Sequence, residues 1–401
     1  MPNRHSPWFT GRSSGQIDTA PRRRRGDAML PRKTMAMVQT GPRQLERRDL
    51  PIPPISADSA ILRIEACGIC GSDHEQYEGA LNTPYPVVPG HEPLGIIAAI
   101  GDVAAKRWRV DVGDRVCVET MLSCHCCNTC LGGHYHLCDR RQIYSYIPLT
   151  VAPGIWGAYS QYMYLAPNAI VHRIDKSLPP EIAVMFNPLG AGFRWAVELP
   201  ETSPGDTVMI LGPGQRGLAS VVAARHAGAG TIIVTGLASD AKKLAVARAL
   251  GADYTIDVDN EDPRERVREI TAGRGVDVVV DVTSYATQPV RGALDYVRRG
   301  GTIVLAGVKG FTMQDGKRRQ KTVPDFVSDM VVWKEITIKG AIGVLSSGYR
   351  KAIDLIESRK VPLALMHTHD FALEEADLAI RTLAGQVDGE RSIHSCLIPP
   401  S

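Results

Sequence analysis

Four cysteines lie close together in the N-terminal half of the chain, at spacings that suit a metal ion. Cys-x2-Cys turns bring neighbouring thiolates onto one ion, and four thiolates form a closed tetrahedral zinc site. An iron–sulfur cluster and a chance group of buried thiols are the alternatives. The sequence therefore predicts a structural zinc lobe over about residues 117–145, with Cys126 outside the ligand set. The predicted ligands are Cys124, Cys127, Cys130 and Cys138.

A second group of potential ligands precedes this lobe. Cys70 follows a predicted strand, and the Gly-His-Glu turn that contains His91 and Glu92 lies about twenty residues further along. Cys67 and Cys70 alone suit a redox pair, but a thiolate with an imidazole is the mixed ligand set of an open catalytic zinc site. The pattern therefore favours a catalytic zinc site.

A glycine-rich turn later in the chain has the spacing of a nucleotide-binding fingerprint. Gly212-Pro-Gly214-Gln215-Arg216-Gly217 follows an apolar strand and opens a helix. The first glycine makes the turn, the second lets a pyrophosphate approach, and the third packs the helix on the strand. Strands and helices alternate from residue 206 onward, which predicts a parallel sheet with crossover helices.

The cofactor is predicted from a missing acidic residue at the end of the second strand of the nucleotide-binding unit. An acidic residue should end that strand and hold the ribose 2′-hydroxyl, but the position is Gly236. A 2′-phosphate would meet no carboxylate there, and Ser239, Lys242 or Lys243 could contact it. We therefore expect NAD(P), with NADP slightly favoured. Later strand ends are expected to line the nicotinamide, at Thr283, Ala306 and Val308.

Together these motifs resemble the zinc-dependent alcohol dehydrogenases of the medium-chain dehydrogenase/reductase superfamily, over about residues 35–400. The resemblance implies an α/β chain, with a Rossmann doubly wound parallel sheet over 189–339 and a β-rich GroES-like catalytic domain over 35–188 and 340–401. It also implies that Cys70 and His91 ligate a catalytic zinc and that Ser72 passes on the substrate's proton. A homodimer or homotetramer is expected.

Besides the cofactor position Gly236, two positions depart from the family pattern. Asn187 stands where the family often has a cysteine or an acidic zinc ligand, and a neutral amide is a poor ligand. Glu92 is therefore expected to coordinate the zinc; the alternative is that it orients His91 or an arginine. Glu75 replaces the histidine that often ends the proton relay, with His74 one position earlier.

Composition limits the remaining choices. The chain has 401 residues, 44% of them hydrophobic, and a net charge of +3. Residues 1–33 carry +6 and the remainder −3, so a disordered basic tail over 1–34 is expected instead of a nucleic-acid-binding face. No apolar run is long enough for a membrane span. Clustered cysteines indicate a reducing, cytoplasmic setting.

The predicted activity is a zinc-dependent, NAD(P)-linked interconversion of an alcohol and its aldehyde or ketone. Two zinc ions per chain are expected, one catalytic and one structural. The substrate is expected to be a small alcohol or carbonyl compound, with a secondary alcohol, a polyol or a sugar-like compound favoured. The alternatives are a physiological carbonyl reductase and a non-catalytic protein that binds nucleotide and zinc.

Overall fold

A computed structural model describes residues 30–314, 317–390 and 392–400. The predicted basic tail therefore lies outside the described residues as far as residue 29, and regular structure begins at Lys33, before the predicted boundary at 34. The first part of the chain is rich in strands. Its elements are β1 (Lys33–Gly41), β2 (Gln44–Pro51), β3 (Ala60–Gly68), α1 (Gly71–Tyr77), β4 (Pro93–Ile100), α2 (Asp102–Trp108), β5 (Arg115–Val118), β6 (Met121–Leu122), α3 (Asn128–Leu131), β7 (Gln142–Ile143), β8 (Tyr162–Leu165) and β9 (Val171–Arg173).

The middle of the chain alternates strands with helices. Its elements are α4 (Pro180–Ala183), α5 (Phe186–Phe193), β10 (Thr207–Leu211), α6 (Gln215–His226), β11 (Thr231–Gly236), α7 (Ala241–Ala249), β12 (Tyr254–Asp257), α8 (Pro263–Ile270), β13 (Val276–Asp281), α9 (Gln288–Tyr296), β14 (Val297–Leu305), β15 (Phe311–Gln314), β16 (Lys317–Gln320), α10 (Ser328–Lys334) and β17 (Thr337–Gly340). The last elements are α11 (Ser346–Ser358), β18 (His367–Ala372), α12 (Ala376–Leu383) and β19 (His394–Ile398).

The middle strands form one six-stranded parallel sheet, in the order β12-β11-β10-β13-β14-β17. The chain starts at the centre of the sheet, moves to one edge and then crosses to the other side. This is the Rossmann order, in which ligands bind at the carboxyl ends of the strands where the order reverses. The reversal lies between β10 and β13, whose residues are all buried, as central parallel strands require.

The other large sheet belongs to the GroES-like domain and has the order β18-β19-β3-β4-β5-β9, with β8 paired to β3. Strands from the far C-terminus therefore return to this sheet and flank β3 through β19. β3 and β4 are antiparallel, and Cys67 lies opposite Pro93 at the end of the pair. The residues just beyond β3 and just before β4 consequently meet at one edge of the sheet.

The two sheets are joined through a fully buried helix. Every residue of α5 is buried, and the helix packs on α6 and α11. A Cβ on Gly192 would lie 2.4 Å from the carbonyl oxygen of Ala219, so glycine allows α5 and α6 to approach this closely. A continuous helix over 181–197 is what the sequence pattern predicts. The structure instead has α4, α5 and a π-helical turn at Arg194–Glu198, with Pro188 unable to donate its backbone nitrogen.

No helix among the described residues has the length and apolar character needed to cross a bilayer.

Candidate active site

The strand pairing explains how the candidate catalytic ligands meet. Cys70 caps the N-terminus of α1 just after β3, and His91 and Glu92 directly precede β4. The backbone nitrogen of Gly68 donates to the carbonyl oxygen of Glu92 at 3.2 Å, which extends the β3–β4 pairing to this point. One ligand atom from each of Cys70, His91 and Glu92 lies within 4.8 Å of the others. The structure thus brings together the three residues that the sequence analysis assigned to the catalytic metal.

Asp73 holds the cysteine loop by a hydrogen bond and lies close to the imidazole. Its Oδ2 accepts from the backbone nitrogen of Cys70 at 2.8 Å, and its Oδ1 lies 3.2 Å from Nδ1 of His91. A carboxylate at one ring nitrogen sets the tautomer and leaves the other nitrogen for a metal or substrate. That second nitrogen, Nε2, lies 3.3 Å from Oγ of Ser72. The predicted proton-passing hydroxyl is therefore beside the predicted ligand set.

Arg216 reaches this cluster from the glycine-rich turn of the other domain. Its Nη2 lies 3.3 Å from Sγ of Cys70 and 2.6 Å from Oε1 of Glu92, and its Nη1 donates to the backbone oxygen of Asn187 at 3.1 Å. Burial opposes ionisation of Cys70, but Arg216 and His91 outweigh it and lower the pKa of the thiol to about 5. Cys70 is therefore held in the thiolate form that binds a metal ion.

The side chain of Gln215 also reaches the loop of Cys70, because its Nε2 donates to the backbone oxygen of Ile69 at 3.0 Å. The sequence analysis placed Gln215 and Arg216 among the cofactor contacts. In the structure their side chains join the helix of the nucleotide domain to the loop of Cys70, and their contact with a cofactor stays a prediction. The spacing of the fingerprint did not show this, because it specifies glycines and leaves the intervening side chains free.

Glu92 supplies the observation that decides whether a metal fits. The residue is fully buried, and although Oε1 pairs with Arg216, Oε2 has no hydrogen-bond partner in the described part of the chain. A Cβ on residue 68 would lie 2.4 Å from that oxygen, so Gly68 makes room for the carboxylate. A thiolate, an imidazole and a carboxylate with a spare buried oxygen form a donor set that suits zinc.

Asn187 stands near the start of α5 and is buried. Its Nδ2 donates to Oγ1 of Thr120 at 3.2 Å and to the hydroxyl of Tyr349 at 3.4 Å. Thr120 in turn donates to the backbone oxygen of His91 at 3.0 Å. The amide therefore supports the segment that carries His91.

The four-cysteine lobe has the geometry of a closed site. The Sγ atoms of Cys124, Cys127, Cys130 and Cys138 all lie within 4.8 Å of one another, and Cys126 is exposed and outside the group. Backbone nitrogens point at the sulfurs: that of Cys127 donates to Cys124 at 3.3 Å, and those of Cys124 and Arg140 donate to Cys138 at 3.4 and 3.3 Å. Such bonds favour thiolates, and backbone donors lower the pKa of Cys124 to about 6.

The glycine turn has the close contacts that the fingerprint requires. Gly212 has a φ of 103°, which a larger residue adopts only with strain. A Cβ on Gly217 would lie 1.9 Å from the backbone oxygen of Gly212, so helix α6 could not pack against the turn. Gly214 caps the N-terminus of α6, and the space where its Cβ would stand is open. An anion can therefore approach the first backbone nitrogens of α6.

The ends of neighbouring strands complete the candidate cofactor site. A Cβ on Gly212 would touch Cγ2 of Thr283 at 3.0 Å, so β10 and β13 meet here. The backbone nitrogen of Ala306 donates to the oxygen of Asp281 at 2.9 Å, which brings the end of β14 to the same place. Nζ of Lys309 lies 2.7 Å from Oδ2 of Asp281 and 2.6 Å from the backbone oxygen of Thr283. Sequence reasoning missed Lys309, since nothing in the local pattern marks it.

The end of β11 is crowded. Gly236 is buried, and a Cβ there would lie 2.9 Å from Cγ of Pro213 and 3.1 Å from Cδ2 of Leu244. Nearby, Nζ of Lys243 pairs with Asp240 at 3.1 Å, whereas Lys242 is exposed.

A cavity of about 680 Å³ lies between the two domains. Glu75 contributes from the catalytic side, and Ala306 and Val308 contribute from the nucleotide sheet. Burial, and to a smaller degree the charge of Cys70, raise the pKa of Glu75 to about 7. His74, by contrast, turns its Nε2 to Gln386 at 3.1 Å. Of the two candidate relay residues, Glu75 therefore faces the cavity.

Residues 56–176 match the family model of the alcohol dehydrogenase GroES-like domain, and residues 217–358 match that of the zinc-binding dehydrogenase. A probable alcohol dehydrogenase from Mycobacterium tuberculosis is 46% identical over 368 residues, which cover 91% of this chain and 98% of the relative. The chain belongs to the zinc-dependent alcohol dehydrogenases of the medium-chain dehydrogenase/reductase superfamily.

Two further comparisons cover nearly the whole of this alcohol dehydrogenase family member. An erythritol/L-threitol dehydrogenase from Mycolicibacterium smegmatis is 31% identical, over 92% of this chain and 99% of the relative. The crystal structure of a zinc-binding dehydrogenase from Sinorhizobium meliloti bound to NADP has a TM-score of 0.77 at 25% identity, covering 92% of this chain and 99% of that one. The chain is therefore an oxidoreductase, and the alternative of a non-catalytic binding protein is not supported.

Proposed function

We propose that this dehydrogenase oxidises a secondary alcohol or polyol with NAD(P), through a zinc ion held by Cys70, His91 and Glu92. The observation that supports this most directly is that these three ligands lie together and that Arg216, from the glycine turn, contacts two of them. A second zinc in the four-cysteine lobe completes the proposed metal content. When bound in the cleft, zinc acts as a Lewis acid toward an alcohol or carbonyl oxygen.

The chain's own groups have distinct roles in this proposal. Asp73 orients the imidazole of His91, and Arg216 holds one carboxylate oxygen of Glu92. The hydroxyl of Ser72, next to the imidazole, would accept the proton that leaves the alcohol while it passes its own proton on. Glu75, in the adjoining cavity, is the next group able to accept it. Ala306 and Val308 line the cavity and Thr283 lies beside Gly212, which supports the proposal that these three residues meet the nicotinamide. The cofactor would supply the hydride chemistry.

The cavity favours a substrate that carries more than one hydroxyl. Its wall combines apolar side chains with polar ones, so one part of a substrate can be buried while another forms hydrogen bonds. The apolar members include Leu81 and Ile342, and the polar members include Glu75, Tyr285 and Lys321. The relative from Mycolicibacterium smegmatis is named for the four-carbon polyols erythritol and L-threitol.

NADP is proposed to serve at least as well as NAD. Gly236 offers no carboxylate to the ribose, and the nearby Asp240 is already paired with Lys243. Exposed Ser239 and Lys242 are free to approach a 2′-phosphate.

A homodimer or homotetramer is also proposed. β17 forms one edge of the parallel sheet, and neighbouring apolar side chains are exposed: Val332 at 71% and Trp333 at 68%. A second copy would cover them. Light scattering of the wild type and of Trp333→Lys tests this: an oligomer that the substitution dissociates is expected, and a monomeric wild type contradicts it.

The activity is tested by initial rates on a panel of primary alcohols, secondary alcohols and polyols, each with NAD and with NADP, and on the matching ketones in reverse. Turnover of a secondary alcohol or polyol that is lost in Cys70→Ser, with the structural zinc retained, is expected. Turnover confined to primary alcohols, or unaffected by Cys70→Ser, would contradict the proposal.

A further inference from the structure

A third group of metal-binding side chains lies outside both proposed zinc sites, between the two C-terminal strands. His367 and Asp370 belong to β18, and Cys396 belongs to β19. One ligand atom from each of the three lies within 4.8 Å of the others. Neither the proposed activity nor the four-cysteine lobe uses these residues.

A β-bulge places these residues on one face. Side chains alternate along a strand, so residues three apart normally point to opposite faces. The pairing of β18 with β19 shifts between His367 and His369, so that His367 lies opposite His394 while Asp370 lies opposite Cys396. The extra residue brings His367 and Asp370 to the same face. His394 and Cys396, two apart on β19, share a face in the ordinary way.

The distances within the group suit a small divalent ion. Nε2 of His367 and Sγ of Cys396 each lie 3.1 Å from Oδ1 of Asp370. Zinc bonds of about 2.0–2.2 Å to nitrogen and oxygen and about 2.3 Å to sulfur, at tetrahedral angles, separate ligand atoms by roughly 3.3–3.6 Å. Outward shifts of a few tenths of an ångström therefore suffice to admit an ion.

A fourth residue supports the proposed ligand histidine. Nδ1 of His367 lies 3.1 Å from Nδ1 of His394, which is fully buried. Ligating histidines ordinarily donate their second ring N–H to a nearby acceptor, which fixes the ring. Nε2 of His394 has no hydrogen-bond partner among the residues that the structure describes. With His394 as acceptor, Nε2 of His367 is left bare toward Asp370 and Cys396.

Exposure provides an entry path. The side chain of Asp370 is 53% exposed and that of His367 is 14% exposed, whereas Cys396 is buried. An ion can approach over the carboxylate and reach the sulfur last.

We propose that His367, Asp370 and Cys396 form a third binding site for a zinc-class divalent cation, with water as the remaining ligand. Binding forms a metal–sulfur bond and releases the thiol proton of Cys396 to solvent. The ring proton of His367 then resides on Nδ1 and is donated to His394. The ion links β18 to β19, which itself pairs with the end of β3 at Gly68, next to the loop of Cys70.

The test uses the full chain in equilibrium dialysis against buffered Zn²⁺, with metal content measured per chain. The wild type is expected to hold one equivalent more than Asp370→Asn and Cys396→Ser. Asp370→Asn is nearly isosteric and partly exposed, so it keeps the test informative if the buried Cys396→Ser fails to fold. His369→Gln, in the same strand but paired with Glu390, is the matched control and is expected to keep the wild-type content.

A second measurement replaces zinc with Co²⁺, whose thiolate charge-transfer absorption reports a metal–sulfur bond. The wild type should show an increment of this absorption that both Asp370→Asn and Cys396→Ser lose and His369→Gln keeps. Equal zinc content and equal cobalt spectra in wild type and Asp370→Asn would overturn the proposal. His367, Asp370 and Cys396 would then be a hydrogen-bonded group that binds no metal. Dehydrogenase activity is measured separately, because the catalytic ligands are unchanged in all three variants.

Discussion

Arg216 donates to Glu92 across the junction between the nucleotide and catalytic domains, with Nη2 2.6 Å from Oε1. The arginine stands in the first turn of α6, directly before the last glycine of the fingerprint, while the glutamate stands directly before β4. The cofactor turn and the candidate metal ligands are thus connected by one side chain. A change in the position of α6 when cofactor binds would be transmitted to Glu92 and Cys70.

Replacing this arginine should damage both stability and activity. Arg216→Met removes the guanidinium that pairs with the buried carboxylate of Glu92, and breaking a buried pair from one side costs about 3–5 kcal/mol. We expect a loss of that order in the free energy of unfolding and at least a tenfold fall in kcat/KM. Arg264→Met, which breaks the exposed pair with Asp295, is the control and should cost no more than about 1 kcal/mol.

The double variant Arg216→Met/Glu92→Gln, compared with the two single variants, measures the coupling between these two side chains. The two stability effects should be strongly non-additive, because each residue's effect depends on the other. Additive effects would show that the pair is not the connection described here.

The structural lobe offers a matched pair of cysteines. Cys127→Ser should remove one zinc per chain and lower Tm by roughly 10 °C, because a closed thiolate site contributes folding free energy. Cys126→Ser changes the adjacent, exposed residue outside the group and should leave metal content and Tm unchanged. Metal analysis and calorimetry measure both. An unaltered zinc content in Cys127→Ser would refute the assignment of this ligand.

Cofactor preference should respond to residue 236. Gly236→Asp places a carboxylate where the 2′-phosphate is proposed to lie, so the kcat/KM for NADP should fall at least tenfold, about 1.4 kcal/mol, relative to that for NAD. A side chain at this position also meets Pro213 and Leu244, so Gly236→Ala is the control for crowding. If Gly236→Ala and Gly236→Asp change the ratio of the two kcat/KM values, NADP over NAD, by the same factor, charge at this position does not determine the cofactor preference.

Glu75 should make stability depend on pH. Its pKa is raised to about 7, mainly by burial, from an ordinary value of 4.5. A carboxyl group whose pKa is raised by folding stabilises the protein fully at a pH below its own pKa in the unfolded chain. This stabilisation is lost as the pH rises through the pKa that the group has in the folded protein. Between pH 4.5 and pH 8 the free energy of unfolding of the wild type should therefore fall by roughly 3 kcal/mol, and that of Glu75→Gln should not show this fall.

Thermal unfolding at pH 5 and pH 8 measures this difference, with the exposed Glu374→Gln as control. A pH dependence that is the same in wild type and Glu75→Gln would show that residue 75 does not hold a proton near neutrality.

The sequence allowed the family, the Rossmann unit, both metal clusters and the glycine contacts to be predicted, because each depends on local spacing. Gly217 illustrates this: its place in the fingerprint implies the tight approach to Gly212 that the structure shows. The exact division of the chain into domains, and the number of zinc ions, stay predictions.

Contacts between distant segments could not be predicted. Arg216 and Lys309 have no local signal, and their partners lie 124 and 28 residues away. The third metal cluster depends on a β-bulge in β18, a strand that the sequence pattern did not indicate. The helix expected over 181–197 breaks because Pro188 and the close packing of α5 on its neighbours outweigh local propensity.

The proposed zinc sites are tested most directly by zinc-edge anomalous diffraction from crystals of the substrate-free enzyme. We expect a zinc within bonding distance of Cys70 and His91, with an oxygen of Glu92 about 2.0–2.2 Å from the metal, and a second zinc among the four cysteines. A site at Cys70 whose remaining positions are filled by water, with Glu92 remaining on Arg216 alone, would contradict the proposed role of Glu92. No zinc at Cys70 at all would contradict the proposed active site.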